Sequence, residues 1–330
     1  MKACCHFSFG TPRRRRQLGI ALLVVLLLVV LLEVIIGDLA IYGWLSYKGA
    51  RNASRSLSQV AAVDGALRLF GTALADQDFR DQFLPGVLAE GVSGLVLGET
   101  EVSVTVEDEG AKWNANLLGD PDAALAQTAQ EELVALFDAL GENRGLAERI
   151  SSFFADALTS EKDQEPVGAH VLSVLGELRL VEGVTDEVLW GQTAAAAGSP
   201  RPGAGARQPD AGAKPGLSRY LTCWGDGMVN VNTASREVLE AVVRPVRPDL
   251  VDAIIAQRSR GPILSVTDID GFSGLPEPQR QRLTQRLAAQ SNAYQLTISC
   301  RTADLITVSR AVLAGNPDTG VQVLFCQRVR

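Results

Sequence analysis

Few side chains in this 330-residue sequence are placed to do covalent chemistry. Its histidines are His6 and His170, and only His170 lies beyond the basic N-terminal segment. A Ser–His or Cys–His pair would have to use His170, and no G-x-S-x-G elbow accompanies it. Within VGAHVLSVLGELRL it reads as a partly exposed helix residue. Cysteines stand at 4, 5, 223, 300 and 326 without a C-x-x-C pair, too scattered for a zinc site. In an oxidising compartment two of Cys223, Cys300 and Cys326 could bridge and leave one thiol free, and their spacing does not select the pair. The sharpest pattern is N-terminal. Arg13 to Arg16 precede Gly19, and the run from Leu18 to Ile36 is apolar apart from Gly19 and Glu33.

The element that must carry these residues is a membrane helix. At ~1.5 Å per residue, about 20 residues cross a bilayer core, and this run continues through Leu39 to Trp44. The arginines hold the N-terminus in the cytoplasm, and Tyr42, Trp44 and Tyr47 suit the far interface. A secretory signal is shorter and ends in a small-residue cleavage site, which is not found here. A plain anchor leaves Gly19 unexplained. Glycine after a basic leader and directly before a long apolar helix resembles the class III leader of type IV pilins and pseudopilins. The resemblance implies a prepilin peptidase cut between Gly19 and Ile20, with Ile20 as the mature N-terminus. Most such proteins carry glutamate at the fifth mature residue, to neutralise a neighbouring subunit's terminal amine, but here that residue is Val24. A carboxylate in lipid is costly unless paired, and a subunit without one suits the end of a fibre. Glu33, fourteenth in the mature count, is either a second candidate for buried pairing or an interface residue that snorkels.

The formal net charge is −7, and five of the 31 basic residues (Lys2 and Arg13 to Arg16) lie in the first nineteen positions. Without that leader, 26 basic residues face 38 acidic ones, leaving a body of −12. Phosphate backbones demand basic surface, so this balance argues against nucleic acid.

Residues 20–76 read as one long helix, lipid-embedded in its first half and amphipathic in its second. Residues 77–108 begin an α+β domain, with the alternating stretch EVSVTVED (101–108) as its strand. Residues 109–190 form a first helical unit, with helices over 123–158 and a third over 167–175. Residues 191–218, rich in Gly, Ala and Pro, form a linker. A second helical unit covers 219–290, in which Asn232 or Thr233 caps a helix over 235–243 and Asp226 and Asn230 read as turn and cap residues. Three antiparallel strands fill 291–330, and the strand at 101–108 is expected to join them in one sheet. The helical region is then an insertion.

GELRLVEGVTDEVLWG and DIDGFSGLPEPQRQRL echo one another, and the stretch around the second resembles a helix-hairpin-helix module. Such modules offer hairpin N–H groups to phosphate. Here the hairpin reads RPVRP, where Pro245 and Pro248 lack N–H donors and no glycine permits close approach. A membrane-anchored periplasmic DNA receptor of competence type therefore remains only the alternative reading.

VEDEGAKWNANLL, ELRLVEGVTDEV, WGDGMVNVNTASREVL, GPILSVTDIDGFSGL and the terminal strands, behind this leader, together resemble the type II secretion system protein K family over nearly the whole chain. The resemblance implies a non-enzymatic minor pseudopilin of α+β fold. A pilin-like N-terminal helix would pack on an antiparallel sheet, with a large helical domain of SAM-like or helix-hairpin-helix-like units inserted. It implies an inner-membrane protein with its body in the periplasm, placed at the pseudopilus tip. Its partners would be minor pseudopilins I and J, the major pseudopilin and the prepilin peptidase. Some family members bind calcium, which wants several oxygen ligands. The candidates here are Asp120, Asp122, Asp163, Glu165 and Asp226, without a D-x-D-x-D-G loop. The sequence departs from the family between Leu118 and Glu177, which is short and lacks the usual tyrosine-rich stretch.

Overall fold

The computed structural model describes residues 14–161, 171–191, 214–243, 246–316 and 320–329. The chain divides into two units, 1–60 and 61–330. Helix α1 (Arg14–Ala75) supplies most of the first and begins the second. Within α1, Ala21–Ala75 is long and apolar enough to cross a membrane, with a mean hydropathy of 2.9 in its most apolar stretch. Leucine, valine and isoleucine from Leu22 to Leu45 are exposed all round the helix, as expected of a segment whose solvent is lipid. Lys48 stacks on Trp44 at 3.8 Å from the ring centre.

In the second unit, α2 (Gln77–Gln82) and α3 (Leu84–Glu90) lead into β1 (Val92–Leu97) and β2 (Thr100–Asp108). Gly91 ends α3 at φ +69°, and a Cβ there would lie 2.8 Å from the Val104 carbonyl. Only glycine lets the chain turn from helix to strand at this point. Strand β2 pairs with β7 (Ala293–Thr302), which pairs with β8 (Leu305–Asn316) and through it with β9 (Gly320–Arg328). The antiparallel order is β1-β2-β7-β8-β9, so the strand expected at 101–108 does join the C-terminal three. It does not stand alone, however, because β1 forms a hairpin with it. VSGLVL conceals that strand. Gly94 takes φ +75° and the register shifts between Val92 and Leu95, so the two-residue alternation is broken by a bulge.

One sheet face packs on α1. Ala62, Ala66, Phe70 and Leu74 meet Val102, Val104, Leu296, Ile298, Ala311 and Leu313 in one apolar core. The helical region leaves the sheet after Asp108 and returns before Tyr294, and these two residues are register partners. The insertion therefore departs from and re-enters adjacent strand ends.

The insertion has a core of its own, running from Trp113 to Leu287. Its elements are β3 (Trp113–Asn114), α4 (Ala123–Leu140), α5 (Arg144–Glu161), α6 (Asp186–Trp190), β4 (Leu221–Thr222), β5 (Val229–Asn230), α7 (Arg236–Val243), α8 (Asp249–Arg258), α9 (Glu277–Arg286) and β6 (Leu287–Ala288). The stretches 109–190 and 219–290 both contribute to this one core, with α4 packed on α7. The helix expected over 167–175 is absent from its described end. Residues 171–174 are non-helical and a 3₁₀ turn covers Leu175–Leu180. The backbone of Leu172 is instead held by an asparagine side chain. Most of the Gly/Ala/Pro-rich linker lies outside the described residues.

Candidate functional site

Two short parallel pairings organise the insertion. Trp113 and Asn114 of β3 pair with Leu221 and Thr222 of β4, and Val229 and Asn230 of β5 pair with Leu287 and Ala288 of β6. Each opens an N-x-N motif. The Asn114 side chain accepts the Asn116 N–H at 3.0 Å, and the Asn230 side chain accepts the Asn232 N–H at 3.0 Å. Asn116 then accepts the Leu172 N–H at 2.7 Å and donates to the carbonyls of Leu172 and Cys223 at 3.2 and 2.9 Å. Asn232 repeats this set, accepting the Ile263 N–H at 2.8 Å and donating to Ile263 and Ala289 at 2.9 and 2.8 Å. Beyond each clasp the buried residues run in step, Leu172, Leu178, Val181 and Val184 against Ile263, Ile269, Phe272 and Leu275. The echo legible in the sequence is thus a structural duplication.

This corrects the expected role of Asn232 and Thr233. Neither caps α7, because Ser235 does so, its hydroxyl accepting the Val238 N–H at 3.4 Å and its carbonyl the Leu239 N–H at 3.1 Å. The Asn232 amide is occupied across the fold, and the Thr233 hydroxyl donates to Asp108 at 2.5 Å. Asn230 also bonds across the fold, donating to Asp108 and Ser291 at 3.0 Å each.

Asp108 closes β2 and gathers donors from the insertion, so it joins sheet to helical core. It accepts from Asn230, Thr233 and the Gly110 N–H. Burial is the largest influence on it and lifts its carboxyl above the usual carboxylate range, against bonds from Ser291, Thr233, Asn230 and Gly110 that pull it down. A carboxyl whose folded pKa exceeds its unfolded value binds its proton more tightly when folded. Its contribution to stability is then fully present below 3.8 and is lost as pH rises through the raised folded value. Asp108→Asn does not titrate there. Measured by urea midpoints stepped from about pH 3 to about pH 7, the wild-type chain should lose stability relative to this variant as pH rises. A pH-independent difference would contradict the assignment.

A second polar centre joins the two halves of the insertion. Glu132 of α4 is fully buried and accepts the Trp113 indole N–H at 2.9 Å. It also receives Arg286 of α9, at 3.2 Å from Nε and 2.6 Å from Nη2. Arg286 Nη1 donates to the Gly227 carbonyl. Glu109 is buried between Lys112 and the Thr222 hydroxyl.

The acids considered for calcium are placed differently. Asp120 accepts the Asp122 N–H at 2.8 Å, Asp122 caps α4 through the Ala124 N–H at 2.9 Å, and Asp226 accepts the Met228 N–H at 2.9 Å. One oxygen of each serves its own turn. Among the described residues no three acids, histidines or cysteines gather as a metal site. Asp163, Glu165 and His170 lie outside the described residues.

Cys223 and Cys300 are buried, Cys326 is exposed, and none of the three is bridged. Burial pushes the Cys223 thiol up to about 12 and raises that of Cys300, which leaves both inert at neutral pH.

At the hairpin between α7 and α8, Arg247 is committed to Asp249 at 2.9 Å and Arg236 to Asp252 at 2.8 Å. These two basic groups are each paired with an acid. Gly19 and Ile20 lie within α1. Val24 and Glu33 are both exposed on that helix.

A family model described as type II secretion system (T2SS), protein K matches residues 229–290, from β5 to just beyond β6. Among solved structures, one similar chain belongs to the crystal structure of the GspK-GspI-GspJ complex from the enterotoxigenic Escherichia coli type 2 secretion system. The two share 16% identity at a TM-score of 0.54, over 86% of this chain and 99% of that one. That likeness speaks to the fold. A comparison with curated proteins finds no match. The segment matched by the protein K family model is the second half of the duplicated insertion, and the fold around it is similar to that of the chain from the GspK-GspI-GspJ complex over 86% of this chain.

Proposed function

We propose that the chain is a minor pseudopilin at the tip of the periplasmic pseudopilus, where it helps to start assembly and so supports export of folded proteins across the outer membrane. The observation that carries this reading is the architecture itself. An apolar helix long enough to span a membrane runs on into an antiparallel sheet, and the insertion that interrupts the sheet carries the protein K segment. The proposed partners are minor pseudopilins I and J, named in the similar complex, with the major pseudopilin below them. The proposed location is the inner membrane, single-pass, with the N-terminus in the cytoplasm and the body in the periplasm. No cofactor enters this reading.

Position 24 supports the tip assignment. If the mature chain begins at Ile20, Val24 offers no carboxylate to a neighbour's terminal ammonium. Glu33 does not substitute, because nine residues of helix place it ~14 Å further along the axis. A subunit that cannot receive such a neighbour is best suited to the fibre's end. The DNA-receptor alternative has no supporting observation.

Processing tests the reading. Mass spectrometry of the protein from membranes should find a mature chain beginning at N-methylated Ile20, absent from cells without prepilin peptidase and from the Gly19→Val variant. An intact N-terminus, or a cut after the apolar run, would remove the pseudopilin assignment.

A further inference from the structure

Among the described residues Arg80 forms no ion pair, although it lines a cleft with Asp226 and an adjoining recess with Asp81 and Asp108. It sits on α2, whose start is fixed by Asp76 accepting the N–H groups of Asp78 and Phe79 at 2.8 and 3.3 Å. Its Nη1 donates to the Leu74 carbonyl at 3.3 Å. Its Nε is buried and has no hydrogen-bond partner. A desolvated guanidinium N–H left unmade is costly, so its persistence asks for a partner. The acids bordering it accept hydrogen bonds from other donors. Asp81 accepts Gln290 at 2.7 Å, Asp226 accepts its own turn's N–H, and Asp108 is held by the donors described above.

Arg80 lines a cavity of about 490 Å³. Leu74, Leu313 and Val321 form an apolar wall, and Tyr294 and Asn292 border it on the polar side. Tyr294 keeps its hydroxyl on the Ser291 carbonyl at 2.9 Å, so it adds a ring face and not a free donor. A second recess of about 130 Å³ adjoins Arg80, bordered by Asp108 and Asp81. A planar guanidinium fork matches a carboxylate bidentately. The apolar wall suits a short aliphatic body. Asp226 on the same cavity and Asp108 on the adjoining recess oppose an anion in proportion to its charge, a dianion more than a single carboxylate.

We propose that this cavity is a binding site for a carboxylate borne on a small apolar group, with Arg80 as its anchor. The carboxylate would be either the C-terminus of a chain ending in an apolar residue or a glutamate side chain. The proposal does not depend on the secretion reading.

The test is an NMR titration of the full chain in detergent micelles, following the arginine Nε–Hε signals. N-acetyl-leucine represents a chain terminus and N-acetyl-glutamic acid α-amide a side chain. N-acetyl-leucinamide and inorganic phosphate are controls. The expected result is a saturable shift with one or both carboxylates, and which of them binds more tightly identifies the source. The amide should give none, and phosphate should bind more weakly. Arg80→Gln should weaken binding on the order of tenfold or more, and Arg80→Lys, which keeps the charge but not the fork, by less. The proposal fails if neither carboxylate saturates, if phosphate binds as well as they do, or if a folded Arg80→Gln chain keeps its affinity.

Discussion

Replacing Glu132 by alanine should cost roughly 3–5 kcal/mol of folding free energy, the largest single effect expected in this chain. The carboxylate is completely buried and Arg286 retains only 10% of its side-chain exposure. Removing Glu132 strands a desolvated guanidinium and orphans the Trp113 indole N–H. Urea unfolding of the full chain in detergent, read by tryptophan fluorescence and circular dichroism, would measure the loss. The double variant Glu132→Leu with Arg286→Met should recover most of it, because apolar packing of similar volume replaces both charges at once. The Trp113 N–H would remain unpaired and hold back about 1–3 kcal/mol. A loss below about 1 kcal/mol for Glu132→Ala would mean that water reaches the pair. The effect should be global, since the pair ties α4 in the first half of the insertion to α9 in the second.

The asparagine clasps come next. Asn232→Ala leaves the Ile263 N–H and the carbonyls of Ile263 and Ala289 without their partner. Asn116→Ala does the same to Leu172 and Cys223. Each should destabilise by about 2–3 kcal/mol, because the groups left unmade belong to a packed interior. Aspartate should be no rescue at either site. It keeps the acceptor, loses both amide donors and adds a charge. Equal losses at 116 and 232 in the same unfolding assay are the particular expectation of a duplicated architecture. A loss at one site with neutrality at the other would show that the second clasp is incidental.

These clasps depend on partners that no local spacing discloses. N-x-N at 114 and at 230 is visible as a pair of asparagines two apart, and position 232 suggests a helix cap. A cap is a local arrangement, whereas the partners of Asn232 lie 31 and 57 residues away. No spacing along the chain announces them. A comparison of the two motifs with each other, ahead of the helices that follow, was the signal that could have found them.

The sequence by itself determined the elements whose partner is a bulk phase or a near neighbour. The apolar run of α1 needs only lipid, β2 alternates because one of its faces is buried, and α7 and α8 follow from amphipathic spacing and their turn residues. It also determined that the sheet is interrupted by a helical insertion, and its charge set nucleic acid aside. Tertiary structure decided what depends on distant groups meeting. Strand β1 exists because β2 offers it an edge despite Gly94. The two helical stretches share one core because Glu132 and Arg286, 154 residues apart, are buried against each other. Asp108 changes from the last residue of a strand into the joint between sheet and insertion because Asn230, Thr233 and Ser291 converge on it. A buried polar group must find a partner wherever the fold provides one, and that location is a property of the packed chain.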